Sequence, residues 1–225
     1  MIGRSGLRHR RAAASALAAG ALARYYRVPL PEDGIRMVDA PILAVDLECT
    51  SLDLAAARIL SVGHVPIDRQ RVDLAAARYL VVNAGAEATG NVAVHGLTDD
   101  VIATGAPLER AVEQVLQACA GRVLLAHHAR IETTLLSRAC QVLYGAPWHP
   151  PVIDTMVLER RILRRGADRP DRAGVDLATA RERYGLPRYR SHHALTDAVA
   201  CAELFLAQMQ QWPGRPPTLG RVRLG

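Results

Sequence analysis

The segment 41–50, PILAVDLECT, constrains the fold more than any other stretch of this sequence. Its apolar run at 42–45 is typical of a short strand that is buried on both faces. The run ends in two carboxylates, Asp46 and Glu48, which share one face because alternate side chains of a strand point the same way. Two acids held so close repel each other unless a divalent cation such as Mg²⁺, which prefers oxygen ligands, binds there. The alternative is a strand that merely ends in a polar turn.

The composition fits one α/β domain with a full hydrophobic core. Half of the 225 residues are hydrophobic but only one is Phe, Phe205, so the core must consist mainly of Leu, Val, Ile and Ala. A formal net charge of +6 and a pI of about 9.6 favour a polyanionic partner such as nucleic acid. The four cysteines form no C-x-x-C pair, which argues against a zinc site or a disulfide framework and favours a reducing cytoplasm.

The composition also divides the chain into three segments. We predict an Ala- and Arg-rich helical extension (1–36), a main domain (37–211) and a flexible tail (212–225). A basic start before an apolar stretch is also typical of signal peptides, but this stretch is mainly Ala, so secretion is kept as the alternative. No run approaches the roughly 18 apolar residues of a membrane span. The expected location is the cytoplasm, with no membrane partner.

Hydrophobic patterns predict strands first and then alternating helices and strands. Strands are expected at 42–45, 58–67, 71–83, 123–125 and 152–154, and helices at 107–119, 129–144, 155–165, 176–184 and 194–211. The hexapeptide DLAAAR at 73–78 has helical propensity, which weakens the third strand. The order of the elements predicts a single α/β domain.

Two further motifs carry candidate chemistry. In HHARIE, Glu132 falls in the first turn of the helix that follows the strand at 123–125. In RSHHALTDA, His192 precedes Asp197 by five residues at the start of the final helix. Histidine side chains titrate near neutral pH and are suited to proton transfer, although a lone histidine more often caps a helix or packs in a core.

Together with the D-x-E pair, these motifs resemble, in order and approximate spacing, those of the DEDDh (DnaQ-like) 3′→5′ exonucleases. This family includes the epsilon proofreading subunit of bacterial DNA polymerase III. The resemblance extends over about residues 43–206, three-quarters of the chain, and includes the segments VHGLTDD (94–100) and IDT (153–155).

The resemblance implies a ribonuclease-H-like fold, with a central five-stranded mixed sheet flanked by helices. It implies that two divalent cations, Mg²⁺ or Mn²⁺, bind the acids Asp46, Glu48, Glu132 and Asp197. In-line attack on a phosphodiester needs an activated water and a stabilised leaving oxygen, which two such cations supply. His192 is then the expected proton acceptor, and the expected substrate contacts are Thr50, Leu52 and His95. For Thr50 and His95, ordinary turn polarity is an equal alternative.

The implied reaction releases nucleoside 5′-monophosphates from the 3′ end of single-stranded nucleic acid, with DNA favoured over RNA. A DNA polymerase subunit is a possible partner. Where the family usually has H-N-x-x-F-D, this chain has HHARIE, so the acid Glu132 is one methylene longer. The first motif reads D-L-E-C-T-S instead of D-x-E-T-T-G. The alternative function is therefore a non-catalytic nucleic-acid-binding or polymerase-associated module with a degraded second motif.

A cluster of arginines at 160, 161, 164 and 165 has helical spacing. Such a cluster could follow a nucleic-acid backbone, but a solvated helix face is at least as good an interpretation.

Overall fold

The computed structural model describes residues 4–85, 96–166, 174–212 and 214–224. Its centre is a mixed sheet of six strands: β1 (Ile42–Cys49), β2 (Ile59–Asp68), β3 (Arg71–Val72), β4 (Arg78–Val81), β5 (Val123–Ala126) and β6 (Val152–Asp154). The order is β3-β2-β1-β5-β6, and β4 also pairs with β2. The first four strands pair antiparallel, whereas β1–β5 and β5–β6 are parallel.

The predicted mixed sheet flanked by helices is confirmed, with one difference at its edge. The segment 71–83 is not one strand, because a 3₁₀ turn at Leu74–Ala76 separates β3 from β4. The Asp73 carboxylate accepts the N–H groups of Ala75 and Ala76 and so stabilises this turn. The helical propensity of DLAAAR outweighs strand pairing here.

Nine helices are described: α1 (Arg4–Leu17), α2 (Gly20–Arg27), α3 (Asp99–Ala103), α4 (Leu108–Cys119), α5 (Arg130–Tyr144), α6 (Thr155–Gly166), α7 (Leu177–Arg183), α8 (Ala194–Gln210) and α9 (Leu219–Val222). From α4 to α8 they agree with the sequence prediction within about two residues at each end. None of the described helices is long and apolar enough to cross a membrane.

The two faces of β1 bury different halves of the core. Leu43 and Val45 pack with residues of α2, α4 and α5, whereas Ile42 and Ala44 pack with residues of α8. Because the side chains of a strand alternate, Asp46 continues the row that faces α8. The sheet therefore sends the two acids of the first motif to the same side as the final helix.

The N-terminal segment lies against the main domain. Tyr25 is 1% exposed and packs edge-on to Trp148, with ring centroids 5.8 Å apart. The guanidinium of Arg11 donates to the Tyr25 hydroxyl (3.0 Å) and to the carbonyl of His149 (3.0 Å). These contacts attach the described part of the 1–36 segment to the core.

The C-terminal segment, for which the sequence predicts a flexible tail, is also packed. Leu219 and Val222 are each 1% exposed, and Arg223 forms an ion pair with Asp33 (Nε–Oδ1 2.7 Å). Residues 33–37 and 217–220 are joined by backbone hydrogen bonds, among them Met37 N–H to the carbonyl of Pro217 (2.9 Å). The two ends of the main domain are therefore joined to each other.

Candidate active site

The first two acids, Asp46 and Glu48, lie in the C-terminal half of β1. Asp46 lies opposite Gly63 of β2 and Glu48 lies opposite Ser61, and the pairing becomes irregular between Glu48 and Cys49. Glu48 is 9% exposed and Asp46 is partly exposed. The D-x-E spacing thus places both carboxylates on one face of the strand, as the sequence predicts.

The third acid arrives from the first turn of α8. One carboxylate oxygen from each of Asp46, Glu48 and Asp197 lies within 4.8 Å of the other two. Asp197 is held in place by the backbone N–H of His192, which donates to its Oδ2 (2.7 Å). Three carboxylates separated by 151 positions in the sequence are therefore brought together at one point.

Gly63 makes this approach possible. A Cβ atom built on Gly63 would lie 2.2 Å from the backbone nitrogen of Leu195 and 2.3 Å from the carbonyl carbon of Ala194. The start of α8 therefore rests directly on the backbone of β2, one strand away from Asp46. A glycine in the middle of a buried strand indicates such a close approach, and this signal was overlooked in the sequence.

The fourth acid, Glu132, lies in the first turn of α5, as the sequence predicts. It is 1% exposed, and its Oε2 has no hydrogen-bond partner among the described residues. It does not belong to the 4.8 Å group of the other three acids. The charge of Glu132 nevertheless raises the pKa of Asp46, and only burial raises that pKa more.

The four carboxylates share an unusual electrostatic environment. Burial, followed by the charges of Glu132, Asp197 and Glu48, raises the pKa of Asp46 well above its ordinary range. Burial and Asp197 raise the pKa of Glu48 to about 7. Burial, and then Asp154, raises the pKa of Glu132 to about 8. Such shifts mark a site that lacks positive charge, which a bound cation would supply.

Asp154, at the end of β6, is a buried carboxylate with a different environment. It accepts backbone N–H groups from His128 (3.1 Å) and Ala129 (3.0 Å) at the start of α5. It also accepts those of Met156 (2.9 Å) and Val157 (3.3 Å) at the start of α6. Asp154 therefore caps two helices and positions the turn that carries Glu132. The IDT segment does not by itself predict this role, which depends on the start of α5 lying beside β6.

The two histidines before α8 have different surroundings. His192 is exposed and has a left-handed backbone (φ 67°). His193 is the N-cap of α8, where its Nδ1 accepts the N–H of Thr196 (3.4 Å). The His193 ring also stacks on Tyr79 of β4, with centroids 4.4 Å apart. His193 thus holds the start of α8 in place, and the His192 side chain is exposed to solvent.

The predicted substrate residues lie in part outside the cluster. Leu52, in the loop after β1, is 83% exposed. The Thr50 hydroxyl accepts the backbone N–H of Arg58 (3.0 Å), which keeps that loop closed. His95 lies outside the described residues.

The arginine cluster of α6 does not form one free surface. Arg161 donates to the carbonyls of Arg221 (3.4 Å) and Val222 (3.3 Å) and so binds the C-terminal segment. Arg160 and Arg164 are exposed. The structure thus favours a packing role for one of these side chains over a shared nucleic-acid track.

Comparisons with known proteins agree with this geometry. A family model described as Exonuclease (RNase_T) matches residues 43–205. The chain belongs to this exonuclease family. The match confirms the DEDDh-type resemblance predicted from the three motifs and covers the strand, helix and loop that carry them.

Among the curated relatives of this exonuclease-family chain is the DNA polymerase III subunit epsilon of Treponema pallidum. It is 26% identical over 162 residues, which are 72% of this chain and 73% of the relative. A PolC-type DNA polymerase III of Thermotoga petrophila is 26% identical over 170 residues, 75% of this chain. The chain spans 12% of the length of the two Thermotoga PolC-type relatives.

Solved exonuclease structures share the fold. The nuclease domain of 3′hExo, a DEDDh family member, bound to rAMP, has a TM-score of 0.63 at 14% identity and covers 78% of this chain and 94% of its own. Exonuclease X in complex with 5′ overhanging duplex DNA has a TM-score of 0.59 at 16% identity and covers 80% and 98%. The predicted ribonuclease-H-like fold is confirmed.

Proposed function

We propose that this chain is a metal-dependent 3′→5′ exonuclease that removes nucleoside 5′-monophosphates from single-stranded nucleic acid, with DNA favoured. The observation that carries the proposal is the group of Asp46, Glu48 and Asp197, whose carboxylate oxygens lie within 4.8 Å of one another. The unpartnered Glu132 oxygen, buried nearby, extends the group. Burial raises the pKa of all four acids, and carboxylates with raised pKa values cluster at functional sites.

The donor set fits divalent cations. Carboxylate oxygens are the ligands that Mg²⁺ and Mn²⁺ prefer. Asp46, Glu48 and Asp197 would hold one ion, and Glu132 with Asp46 would hold a second. Such ions, when bound, neutralise charge on the phosphate and lower the pKa of water. Glu132 retains the charge of the usual aspartate, and its buried, unpaired Oε2 is the atom available for this role.

The residues around the cluster have separate tasks. His192 is exposed and its backbone N–H donates to Asp197, which supports a role for its ring as the acceptor of the proton of the attacking water. The exposed Leu52 side chain would pack against the terminal nucleotide, and Thr50 and His95 are the other proposed substrate contacts. A positive net charge of +6 favours approach of the polyanionic strand.

A digestion assay on the purified full chain tests the proposal. DNA and RNA single strands carrying a 3′ or a 5′ label are incubated with Mg²⁺, with Mn²⁺ or with EDTA. We expect 5′-labelled DNA to shorten stepwise from its 3′ end with either metal, 3′-labelled DNA to release labelled mononucleotide at once, and EDTA to stop both. Asp46→Asn is the inactive comparison. Binding in a gel shift without cleavage in either metal would favour the non-catalytic module.

Two finer points belong to the same proposal. Relatives named as DNA polymerase III subunits support association with a DNA polymerase. Faster digestion of DNA than of RNA of the same sequence would support DNA as the substrate.

A further inference from the structure

The segment 186–191 connects α7 to His192, and its conformation sets where the His192 ring lies. Its residues form neither helix nor strand. A cavity of about 250 Å³ separates part of the segment from α7, and its lining includes Pro187, Tyr189, Ser191 and Asp197. A segment that bridges a cavity is not positioned by close packing alone, so specific contacts must hold it.

Arg181 of α7 supplies such contacts. Its side chain is 5% exposed, and its guanidinium donates from Nη2 to the carbonyl of Pro187 (2.9 Å). The same nitrogen pairs with Glu203 Oε2 (2.8 Å), and Nη1 donates to the carbonyl of Ala200 (2.6 Å). Ala200 and Glu203 both belong to α8, which also carries Asp197. One side chain therefore ties the segment to the helix of the third motif.

Tyr189, which lies in the 186–191 segment, contacts both Arg181 and Glu203. Its ring lies under the Arg181 guanidinium, with 4.6 Å between Cζ and the ring centroid. Its hydroxyl donates to Glu203 Oε1 (2.9 Å). Each of the three side chains thus contacts the other two, and planar guanidinium contacts of this kind fix direction as well as distance.

We propose that Arg181 is a positioning residue, which holds the 186–191 segment so that the His192 ring has the correct orientation to accept the proton of the attacking water. The inference rests on the proposed function of His192. Misplacement of a reacting group by about 1 Å can lower a rate by about a hundredfold, so the effect should appear in kcat. The side-chain hydrogen bonds of Arg181 go to Pro187, Ala200 and Glu203, none of which is a proposed metal ligand.

The neighbouring Arg183 provides a matched control. It lies on the same helix and also forms an ion pair with a buried glutamate, Glu159. Its other bond goes to the carbonyl of Gly174 (2.9 Å), outside the 186–191 segment. If Arg181 only stabilised the fold, both substitutions would lower the melting temperature and leave kcat nearly unchanged, whereas a positioning role predicts a loss of kcat for Arg181 and not for Arg183.

The test compares Arg181→Lys, Arg183→Lys and Tyr189→Phe in the full chain. For Arg181→Lys we expect kcat to fall about tenfold or more, with KM within about threefold of wild type. For Tyr189→Phe, which keeps the ring, we expect a fall of about threefold in kcat. Arg183→Lys should keep kcat within about twofold, even if its melting temperature falls as far.

Hydrogen–deuterium exchange of the peptide that spans 186–193 gives a readout independent of activity. Exchange should become faster in Arg181→Lys and in Tyr189→Phe, and stay unchanged in Arg183→Lys. Unchanged exchange or unchanged kcat in a folded Arg181→Lys protein, or an equal loss of kcat in Arg183→Lys, would overturn the inference. An inactive wild type would instead contradict the proposed function, and the exchange data would still decide whether Arg181 holds the segment.

Discussion

Two buried carboxylates near the start of α5, Asp154 and Glu132, differ in almost every contact. Asp154 is 5% exposed and accepts four backbone N–H groups from the ends of two helices. Glu132 is 1% exposed, and its Oε2 has no partner among the described residues. Backbone N–H groups satisfy the Asp154 carboxylate, whereas the Oε2 atom of Glu132 is buried without a hydrogen-bond donor among the described residues. Burial alone therefore does not distinguish the two acids, but the unpartnered Oε2 atom of Glu132 does.

The largest expected effect is at Asp46, whose pKa, like that of Glu132, is raised first by burial. Asp46→Asn should lower the rate of cleavage about a thousandfold, roughly 4 kcal/mol of transition-state stabilisation, because a cation ligand is lost. The metal-free melting temperature should rise, since repulsion among the acids is relieved. Single-turnover digestion and thermal unfolding in EDTA measure the two effects. Asp39→Asn, at an exposed ion pair with Arg36, is the control and should change neither.

The comparison predicts the opposite result for Asp154. Asp154→Ala should lower the free energy of unfolding by about 3 kcal/mol, because two helix N-termini lose their cap. Asp176→Ala is the matched control, since Asp176 is exposed and caps one helix, α7, where it accepts the N–H of Thr179 (3.0 Å). It should cost about 1 kcal/mol. Urea unfolding measures both, and equal losses would mean that Asp154 is not a double cap.

Glu132→Gln tests the difference between Glu132 and Asp154 most directly. It should lower the rate of cleavage about a hundredfold, or about 2.7 kcal/mol, because a neutral amide replaces a ligand charge. Stability without metal should rise or stay constant, in contrast to Asp154→Ala. Glu132→Asp should keep measurable activity, with an altered preference between Mn²⁺ and Mg²⁺. Wild-type cleavage by Glu132→Gln would remove the second metal site from the mechanism.

The last prediction concerns pH. The folded chain holds protons on Glu132 (pKa about 8) and Glu48 (about 7), where an unfolded glutamate releases them near 4.5. This stabilisation is complete below about pH 4.5 and is lost as pH rises toward 8, by about 1.4 kcal/mol per pH unit for each proton. Metal-free protein should therefore melt at a higher temperature at pH 5.5 than at pH 7.5. Glu132→Gln should reduce that difference, and a rise in stability with pH would contradict the shifts.

Local patterns in the sequence were sufficient for much of the site. Strand periodicity put Asp46 and Glu48 on one face, and the step from strand to helix put Glu132 in a first helical turn. What the sequence could not provide depends on contacts between distant segments. The approach of α8 to Gly63 and the four bonds of Asp154 need the folded neighbours to be known.

In the N-terminal extension and in the segment 71–83, the sequence alone does not decide the structure. The N-terminal extension has few large apolar residues, yet Leu22 and Tyr25 are buried because α4 and α5 offer an apolar face. The segment 71–83 has the alternation of a strand, but Asp73 stabilises a local turn that competes with pairing. In both cases local propensity and the tertiary environment point in different directions, and only the structure shows which one prevails.

The hydrogen bonds between residues 33–37 and 217–220 have a consequence for assembly. Because the two flanks of the main domain leave it side by side, a host chain could accept the whole unit within one surface loop, without stretching either connection. The PolC-type relatives, of which the matched region is 12%, are proteins in which a similar region is part of a much longer chain. Flanking segments that are hydrogen-bonded to each other allow such a domain to be inserted into chains of very different length.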